Sequence, residues 1–478
     1  MRRAILFLML MAWVFAVSAR AEDSLTGEQA VNALHQAVTF FRDHVSAEGG
    51  YLWQYSADLT RQEGEGRATE SSAWVQPPGT PTVGEALLFA FEATGDTYYL
   101  QTARQTGQAL VRGQLQSGGW DYRIEINPAA RKRYRYRIDE DRPGARNVTT
   151  LDDDTTQSAL RFLIHLDRTL SFQDDQIHAA AEYALTSLLQ AQYPNGAWPQ
   201  RFSEPPDPQQ HPIRKASYPD SWSRTHPEHD YRSYYTFNDN TIADMIDTLF
   251  QAAEVYGQSR YVQAAEKAGD FILLAQMPEP QSAWAQQYNA EMQPAWARRF
   301  EPPAVTGGES QGVIRVLLQL YRHTGRKKYL EPIPSALDYL EESLLPNGQL
   351  ARFYELKSNR PLYFTKQYEL TYSDADMPTH YGFKTGANLK RLRLEYERLL
   401  KTRPDDLKPV RNKPVYQRSR QLVARAQAAV AELDQRGAWV EEGRLRSYGS
   451  DDSTTRVISS RTFVSNVETL SRFIAAGQ

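Results

Sequence analysis

The segment Asn195-Gly196-Ala197-Trp198 is one copy of a turn that recurs along the 478-residue chain. In each copy a stretch with apolar residues at helical spacing ends, a short turn follows, and an aromatic or apolar side chain comes next. Glycine adopts the left-handed conformation that ends many helices, so the pattern predicts helices that stop at these turns. The other copies are Gly49-Gly50-Tyr51-Leu52-Trp53, Gly118-Gly119-Trp120, Ser282-Ala283-Trp284, Asn347-Gly348-Gln349-Leu350 and Gly437-Ala438-Trp439.

The spacing of these turns predicts the architecture. Consecutive copies are about 67 to about 90 residues apart, which is enough for two helices and their loops. A helical hairpin cannot bury its apolar face alone, so successive hairpins must pack side by side. Because the copies are few and carry long irregular loops at residues 62–80, 127–147 and 204–233, we predict an all-α fold. An α/α toroid is favoured over an open helical array.

Composition narrows the possible functions. The formal net charge is only −3, which argues against nucleic acid as the main partner. An anionic ligand would therefore have to be bound by a local cluster of arginine and lysine. The chain has no cysteine, so its stability must come from burial of apolar side chains.

The first 21 residues have the pattern of a signal peptide. Arg2 and Arg3 precede an apolar stretch at residues 4–17, and Ser18-Ala19-Arg20-Ala21 supplies small residues for cleavage. We predict a secreted or periplasmic bacterial protein that is a monomer and has no membrane contact after cleavage. Residues 22–402 should form the toroid, and residues 403–478 a linker and a last helical element packed on it.

Five segments follow one another in a fixed order and share a family pattern. They are Tyr193-Pro194-Asn195-Gly196-Ala197-Trp198-Pro199-Gln200, Thr236-Phe237-Asn238-Asp239-Asn240, the block from Ala283-Trp284 to Gly307-Gly308-Glu309-Ser310, Ala351-Arg352-Phe353-Tyr354-Glu355-Leu356 and Ser358-Asn359-Arg360-Pro361. Together they resemble the pectate lyases of polysaccharide lyase family 10, over a core at residues 115–384. The resemblance implies an enzyme that degrades an acidic polysaccharide, pectic acid, by β-elimination assisted by Ca²⁺.

The resemblance also implies which residues act. Elimination removes the C5 proton of a uronate, next to its carboxylate, so negative charge must be neutralised in the reaction. The base in this family is an arginine, which corresponds to Arg298. The calcium ligands correspond to Asp152 and Asp239. Each of these carboxylates precedes a predicted helix and could instead be an N-cap.

Substrate binding is assigned to a second group of residues. A guanidinium can meet a carboxylate through two hydrogen bonds, which suits Arg352 and Arg360, and Lys366 adds a further positive charge. Asn238 belongs to the same group by its place in the family pattern. Trp198 is included because a flat indole can stack on a sugar ring, although core packing is the simpler role for a tryptophan after a turn.

Departures from the family pattern leave alternatives open. Asp153 and Asp154 replace the Asn and Gly of the family motif, and a closing aromatic segment survives only as His380-Tyr381-Gly382-Phe383. One alternative is a non-catalytic polysaccharide-binding protein derived from a lyase. Another is an α/α-toroid glycoside hydrolase that uses Glu309 and Asp239 as its two carboxyl groups.

Overall fold

The computed structural model describes residues 25–407 and 416–477. The predicted signal peptide at residues 1–21 and part of the predicted linker lie outside the described residues. Within the described ranges, twelve helices of ten or more residues form the framework. None of the described helices combines the length and the apolar character needed to cross a membrane.

The twelve helices form two layers, as an α/α toroid requires. The inner layer comprises α2 (Thr80–Thr94), α5 (Thr155–Thr169), α7 (Thr241–Tyr256), α9 (Gly307–Thr324), α11 (Leu389–Lys401) and α13 (Ser460–Ala475). Each inner helix packs against the next along the chain from α2 to α11, and α13 packs against α2. The predicted fold class is confirmed.

The outer layer covers the inner one, and each outer helix packs on an inner neighbour. It comprises α1 (Gly27–Phe40), α3 (Thr97–Gly113), α6 (Asp175–Gln190), α8 (Ser259–Ala275), α10 (Ile333–Glu342) and α12 (Arg420–Ala431), while the short α4 (Pro128–Arg131) lies in an insert. Buried apolar residues from Leu25 to Ile474 form one core cluster between the layers.

Local sequence determines where each hairpin reverses direction. Gly95 ends α2 in the left-handed conformation with a φ of 73°, and Gly257 ends α7 in the same way with a φ of 68°. After Gly95, the carboxylate of Asp96 accepts a hydrogen bond from the Tyr98 backbone at 2.9 Å and starts α3. A glycine stop and a side-chain cap, one residue apart, therefore fold the chain back as a hairpin.

The tryptophans after the repeat turns hold the ends of the outer helices. The Trp198 indole N–H donates to the carbonyl of Leu188, near the end of α6, at 2.8 Å, and the ring is 0% exposed. A ring that is fully buried cannot stack on a sugar, so the assignment of Trp198 to substrate binding is wrong. Equivalent bonds join Trp120 to Leu110 at 2.8 Å, Trp284 to Ile272 at 2.9 Å and Trp439 to Ala429 at 2.7 Å.

Trp198→Phe should destabilise the fold. The exchange leaves the buried Leu188 carbonyl without its donor and opens a small cavity, so we expect the free energy of unfolding to fall by about 2–3 kcal/mol. Chemical denaturation measures this loss. Trp222→Phe, at a half-buried side chain, is the matched control and should change stability by about 0.5 kcal/mol or less. Equal effects at the two positions would contradict the anchoring role.

Short strands lie between the helices in small antiparallel sheets. Two sheets have four strands, in the orders β15-β16-β1-β2 and β13-β12-β11-β9, and four have two strands, β3-β4, β5-β6, β7-β8 and β10-β14. The strands are β1 (Gln54–Ser56), β2 (Gln62–Glu63), β3 (Ser72–Trp74), β4 (Arg123–Glu125), β5 (Thr149–Thr150), β6 (Arg201–Phe202), β7 (Tyr235–Thr236), β8 (Gln287–Tyr288), β9 (Ala304–Thr306), β10 (Leu350–Ala351), β11 (Phe353–Glu355), β12 (Pro361–Phe364), β13 (Leu370–Thr371), β14 (Lys384–Thr385), β15 (Val440–Glu442) and β16 (Arg456–Ser459).

The two ends of the described chain meet. β1 pairs with β16, with Gln54 opposite Ser459, and the carboxylate of Glu63 accepts hydrogen bonds from the backbone of Arg446 and Ser447 at 3.0 and 2.8 Å. The last inner helix, α13, also packs on α1 and α12. The first and last helices and strands of the described chain therefore pack directly against each other.

Candidate active site

Two neighbouring inner helices begin with the same unusual turn. Asp152-Asp153-Asp154 precedes α5 and Asn238-Asp239-Asn240 precedes α7, each as one turn of 3-10 helix. The second and third residues have φ values of 50° and 59° in the first turn and 46° and 59° in the second. Asp and Asn tolerate this left-handed region better than other non-glycine residues, and backbone strain of this kind is concentrated at functional sites. Asp153 and Asp239 are thus equivalent positions of a repeated turn.

Strand pairing and one glutamine hold the two turns side by side. β5 pairs with β6 before the first turn, and β7 pairs with β8 before the second. The side-chain amide of Gln157 donates to the carbonyl of Leu151 at 2.8 Å and to that of Thr241 at 3.4 Å. The starts of α5 and α7 are therefore tied together, which brings their carboxylates to one place.

Asp152, Asp153 and Asp239 form a carboxylate triad. Each offers an oxygen, and these oxygens lie within 4.8 Å of one another. Oδ2 of Asp152 accepts a hydrogen bond from the Tyr122 hydroxyl at 3.0 Å, whereas Oδ1 of Asp152 is buried without a hydrogen-bond partner. Carboxylate oxygens are the ligands that Ca²⁺ prefers, and a cation would satisfy the unpartnered oxygen. The residues present therefore fit a divalent cation.

Burial and mutual repulsion raise the pKa values of two carboxyl groups of the triad. Burial, and then the charges of Asp152 and Asp239, raise the pKa of Asp153 to about 7. Burial and the charge of Asp152 also raise the pKa of Asp239 to about 6. Three adjacent ionised carboxylates are unfavourable at neutral pH unless positive charge lies among them. The electrostatics of the triad thus agree with a cation site.

Arg298 lies beside the triad, and its charge opposes the rise in pKa of both Asp153 and Asp239. Its Nη2 donates to Oε1 of Glu301 at 2.6 Å, and its backbone N–H donates to Oε2 of the same carboxylate at 3.1 Å. Glu301 is 1% exposed and also accepts from the Tyr381 hydroxyl at 2.9 Å. A buried carboxylate therefore fixes the position of the arginine.

Two further arginines flank the triad. Arg352 donates to Glu309 at 2.7 Å, and its charge reaches Asp239, where it opposes the rise in pKa. Arg201 lies 3.8 Å from the carboxylate of Asp152. The Nε atoms of both arginines are buried without an acceptor. Donors of this kind are available to a ligand carboxylate.

Asn238 lies at the base of this site. It is 3% exposed, its amide donates to the carboxylate of Asp239, and its Oδ1 is buried without a partner. Together with Tyr231 and Glu301 it lines a small polar cavity. The contacts show that Asn238 orients Asp239, and its assignment to substrate binding stays a prediction.

Arg360 and Lys366 lie apart from this network. Lys366 is exposed and pairs with Asp376 at 3.0 Å, and the Arg360 guanidinium lies 3.3 Å from the centre of the Tyr372 ring. Across residues 25–407 and 416–477, neither side chain forms a hydrogen bond or an ion pair with the triad. Their assignment to substrate binding also stays a prediction.

Sequence reasoning missed several contributors to the site. Arg201 directly follows the motif that ends at Gln200, and Glu301 lies inside another family segment, so both could have been proposed from their positions. Tyr381, which contacts Glu301, lies in what remains of the family's closing aromatic segment, whereas Tyr122 carried no such signal, because only folding brings it to the triad. Asp153, noted as a departure from the family, is the third carboxylate.

Glu309, one of the two carboxyl groups of the glycoside hydrolase alternative, belongs to the arginine network of the site. It is paired with Arg352 at 2.7 Å, and the other candidate carboxyl group, Asp239, belongs to the triad. The assignment of these two residues to hydrolysis stays a prediction.

Fold and site together define an α/α-toroid protein with a carboxylate triad flanked by arginines. Residues 114–320 match the family model described as pectic acid lyase, which confirms the resemblance over this segment. The matched segment contains the triad, Arg298 and Glu301, whereas Arg352 lies beyond it. None of the curated proteins compared with the chain matches it.

Solved structures with similar folds differ in activity. A family 10 polysaccharide lyase from Cellvibrio cellulosa, a mutant in complex with trigalacturonic acid, is 19% identical, with 67% of this chain and 98% of that chain covered and a TM-score of 0.46. A D-mannose isomerase is 14% identical, with 95% and 98% covered and a TM-score of 0.44. A family 76 mannosidase from Bacteroides thetaiotaomicron is 12% identical, with 94% and 99% covered and a TM-score of 0.43. These likenesses carry no argument about activity.

Proposed function

We propose that the chain is a polysaccharide lyase that cleaves pectic acid, a polymer of galacturonate, by β-elimination. The observation that carries the proposal is the convergence of three carboxylates with Arg298 where α5 and α7 begin. A lyase needs positive charge at the uronate that loses its proton, and the arginines and a bound cation would supply it. The pectic acid lyase match over residues 114–320 supports the same substrate class.

The arginines bind the carboxylates of the polymer. The unpartnered Nε donors of Arg201 and Arg352 lie on two sides of the triad, and each guanidinium can offer two parallel N–H donors to one carboxylate. Neutralising the carboxylate attached to C5 makes the C5 proton more acidic. These side chains therefore both position the uronate and lower the barrier to proton removal.

Calcium is the proposed cofactor, and Asp152, Asp153 and Asp239 would hold it. When bound, the ion would supply positive charge that neutralises the uronate carboxylate and the negative charge formed during elimination. Tyr122 orients Asp152 and Asn238 orients Asp239, each through a side-chain hydrogen bond. Such supporting bonds fix the direction of the ligand oxygens.

Arg298 is the proposed base. It removes the C5 proton, the electron pair forms the C4–C5 double bond, and the C4 oxygen leaves and takes a proton from water. Burial acts to lower the pKa of Arg298, but the hydrogen bond and charge of Glu301 outweigh it and raise the pKa above its ordinary value. The deprotonated form is therefore scarce at neutral pH and becomes more common as the pH rises, so elimination should be faster in alkaline solution.

Glu301→Gln tests the base role through the pH profile. The substitution removes the negative charge that raises the pKa of Arg298, so more of the guanidinium is deprotonated at any given pH. The rise of kcat with pH should move to lower pH. The measurement is kcat across the neutral to alkaline range, and Glu182→Gln, which alters the ion pair of Glu182 with Arg260, is the control. An unmoved profile would limit Arg298 to charge neutralisation.

The reaction itself can be followed by ultraviolet absorbance. β-Elimination leaves a double bond conjugated to the carboxylate, so incubation with polygalacturonate should raise the absorbance, and a chelator should stop the rise. New reducing ends without absorbance would indicate hydrolysis. Retention on the polymer without products would indicate the non-catalytic binding protein.

We also propose that the chain acts as a secreted or periplasmic monomer. The basic and apolar pattern of its first 21 residues supports export. A polymeric substrate such as pectic acid is also met outside the cytoplasm. Fractionation of cells that express the full-length chain, with mass spectrometry of the mature N-terminus, tests this proposal.

A further inference from the structure

An aromatic surface continues outward from Arg298. Tyr381, which donates to Glu301, lies 4.7 Å from Phe300 between ring centres, and Phe300 lies 5.7 Å from Tyr368 and 5.3 Å from His380. We call Phe300, Tyr368 and His380 the aromatic shelf. Phe300 and Tyr368 are half-buried and His380 is exposed, so the shelf faces solvent next to the site.

Arg299 lies on this shelf. Its guanidinium carbon is 3.6 Å from the centre of the Tyr368 ring, a close cation–π contact. The side chain is exposed, and in the described parts of the chain it forms no ion pair. Arg298, one residue earlier, has Glu301 as its partner at 2.6 Å. Arg299 is thus a fixed positive charge without a counter-charge, beside the proposed base.

The contact with the Tyr368 ring leaves the N–H donors of Arg299 free to bind a ligand. A guanidinium that lies flat on an aromatic ring uses its face, whereas its N–H donors point outward along its edge. Stacking also reduces the number of side-chain conformers, so less entropy is lost when a ligand binds. A carboxylate is the ligand that fits such an edge, because it accepts two parallel N–H hydrogen bonds.

Arg360 differs from Arg299 in having a protein carboxylate in its cluster. Arg360 also stacks on a tyrosine, Tyr372, but the hydroxyl of that tyrosine donates to Glu355 at 2.7 Å, and Glu355 also pairs with Arg224. A protein carboxylate therefore already lies in that cluster. On the aromatic shelf, the hydroxyl of Tyr368 faces the His380 ring at 3.4 Å instead.

We propose that Arg299 and the aromatic shelf form a subsite for the carboxylate of a further galacturonate unit, beside the unit at which elimination occurs. The proposal rests on the proposed function and adds to it a specificity determinant. Arg299 binds an unesterified carboxylate, and the exposed faces of His380 and Phe300 contact the sugar. The subsite makes the enzyme favour stretches of polymer with consecutive free carboxylates over methyl-esterified stretches.

The test compares substrates that differ in length and in esterification. Arg299→Gln should raise KM for polygalacturonate and for long oligogalacturonates about three- to tenfold, with kcat within about twofold, because an exposed charge pair contributes modestly. The shortest oligomer that is cleaved should show no change, and neither should highly methyl-esterified pectin. Arg299→Lys should recover part of the loss, and Tyr368→Ala, which frees the guanidinium, should reproduce it. Arg260→Gln, at an outer-layer arginine that also contacts a tyrosine, is the matched control.

The outcomes separate the subsite from the proposed function. The subsite is refuted if the wild-type chain cleaves polygalacturonate and Arg299→Gln has the wild-type KM. It is also refuted if Arg299→Gln raises KM for esterified pectin as much as for polygalacturonate. In both cases the proposed lyase function is unaffected. If the wild type binds polymer without cleaving it, a weaker dissociation constant of Arg299→Gln for polygalacturonate, but not for esterified pectin, supports the subsite, and an unchanged dissociation constant refutes it. If the wild type neither binds nor cleaves the polymer, the proposed function is refuted, and the subsite is refuted with it.

Discussion

Arg298→Ala should reduce kcat for polygalacturonate by about 10³-fold or more, near the upper end of what a single acid–base group contributes. The methyl group of alanine cannot accept the C5 proton, and the positive charge beside Asp239 is lost with the guanidinium. Polymer binding should persist, because the carboxylate-binding arginines Arg201 and Arg352 remain. The measurement combines initial rates by ultraviolet absorbance with retention of the protein on immobilised polygalacturonate.

The variant leaves Glu301 buried without its cationic partner, which can destabilise the fold. A second variant, Arg298→Ala combined with Glu301→Gln, removes that uncompensated charge and should be equally inactive. Arg260→Ala, on the outer layer, should keep the wild-type rate. Loss of binding together with turnover, in a variant with wild-type stability, would contradict the role of Arg298 as base and make it mainly a binding residue.

The toroid was predictable because its signals are local. A glycine stop such as Gly95 and a buried anchor such as Trp120 depend on a few neighbouring residues, and these recur at each hairpin. The assignment of Trp198 to sugar stacking was wrong because it set this local signal aside in favour of the flat shape of the indole. The indole is used instead to satisfy the carbonyl of Leu188, and the repeat itself carried that information.

The triad and the arginines Arg298 and Arg352 were partly predictable from the sequence, and the contacts that join residues from separate loops were not. Asp152 and Asp239 occupy family positions at helix starts, so they could be assigned without a structure. Tyr122 and Arg201 are far apart in sequence, yet the Arg201 guanidinium donates to the Tyr122 hydroxyl at 3.3 Å beside Asp152. Contacts of this kind arise when separate loops pack at the ends of different helices, and no local pattern encodes them.

Asp239→Asn should abolish the response of the protein to calcium. The substitution removes one of three ligand charges, and direct loss of a ligand should weaken metal affinity by more than the roughly 10–100-fold typical of supporting residues. Wild-type protein should melt at a higher temperature with calcium than with chelator, since a ligand that binds only the folded state stabilises it. In Asp239→Asn that increase in Tm should disappear, together with calcium-dependent turnover. Asp270→Asn, on the outer helix α8, should keep both.

In the presence of a chelator, Asp239→Asn should raise the Tm above that of the wild type. Burial and the charge of Asp152 raise the pKa of Asp239 to about 6, so its ionised form is disfavoured in the folded state. A raised carboxyl pKa destabilises the fold above that pH and has no effect once the group is protonated in both states. Metal-free Asp239→Asn should therefore melt above metal-free wild type at about pH 8, and the difference should shrink towards acidic pH. A lower Tm for metal-free Asp239→Asn than for metal-free wild type at alkaline pH would contradict this. It would show that protein contacts, without a cation, already stabilise the ionised carboxylate of Asp239.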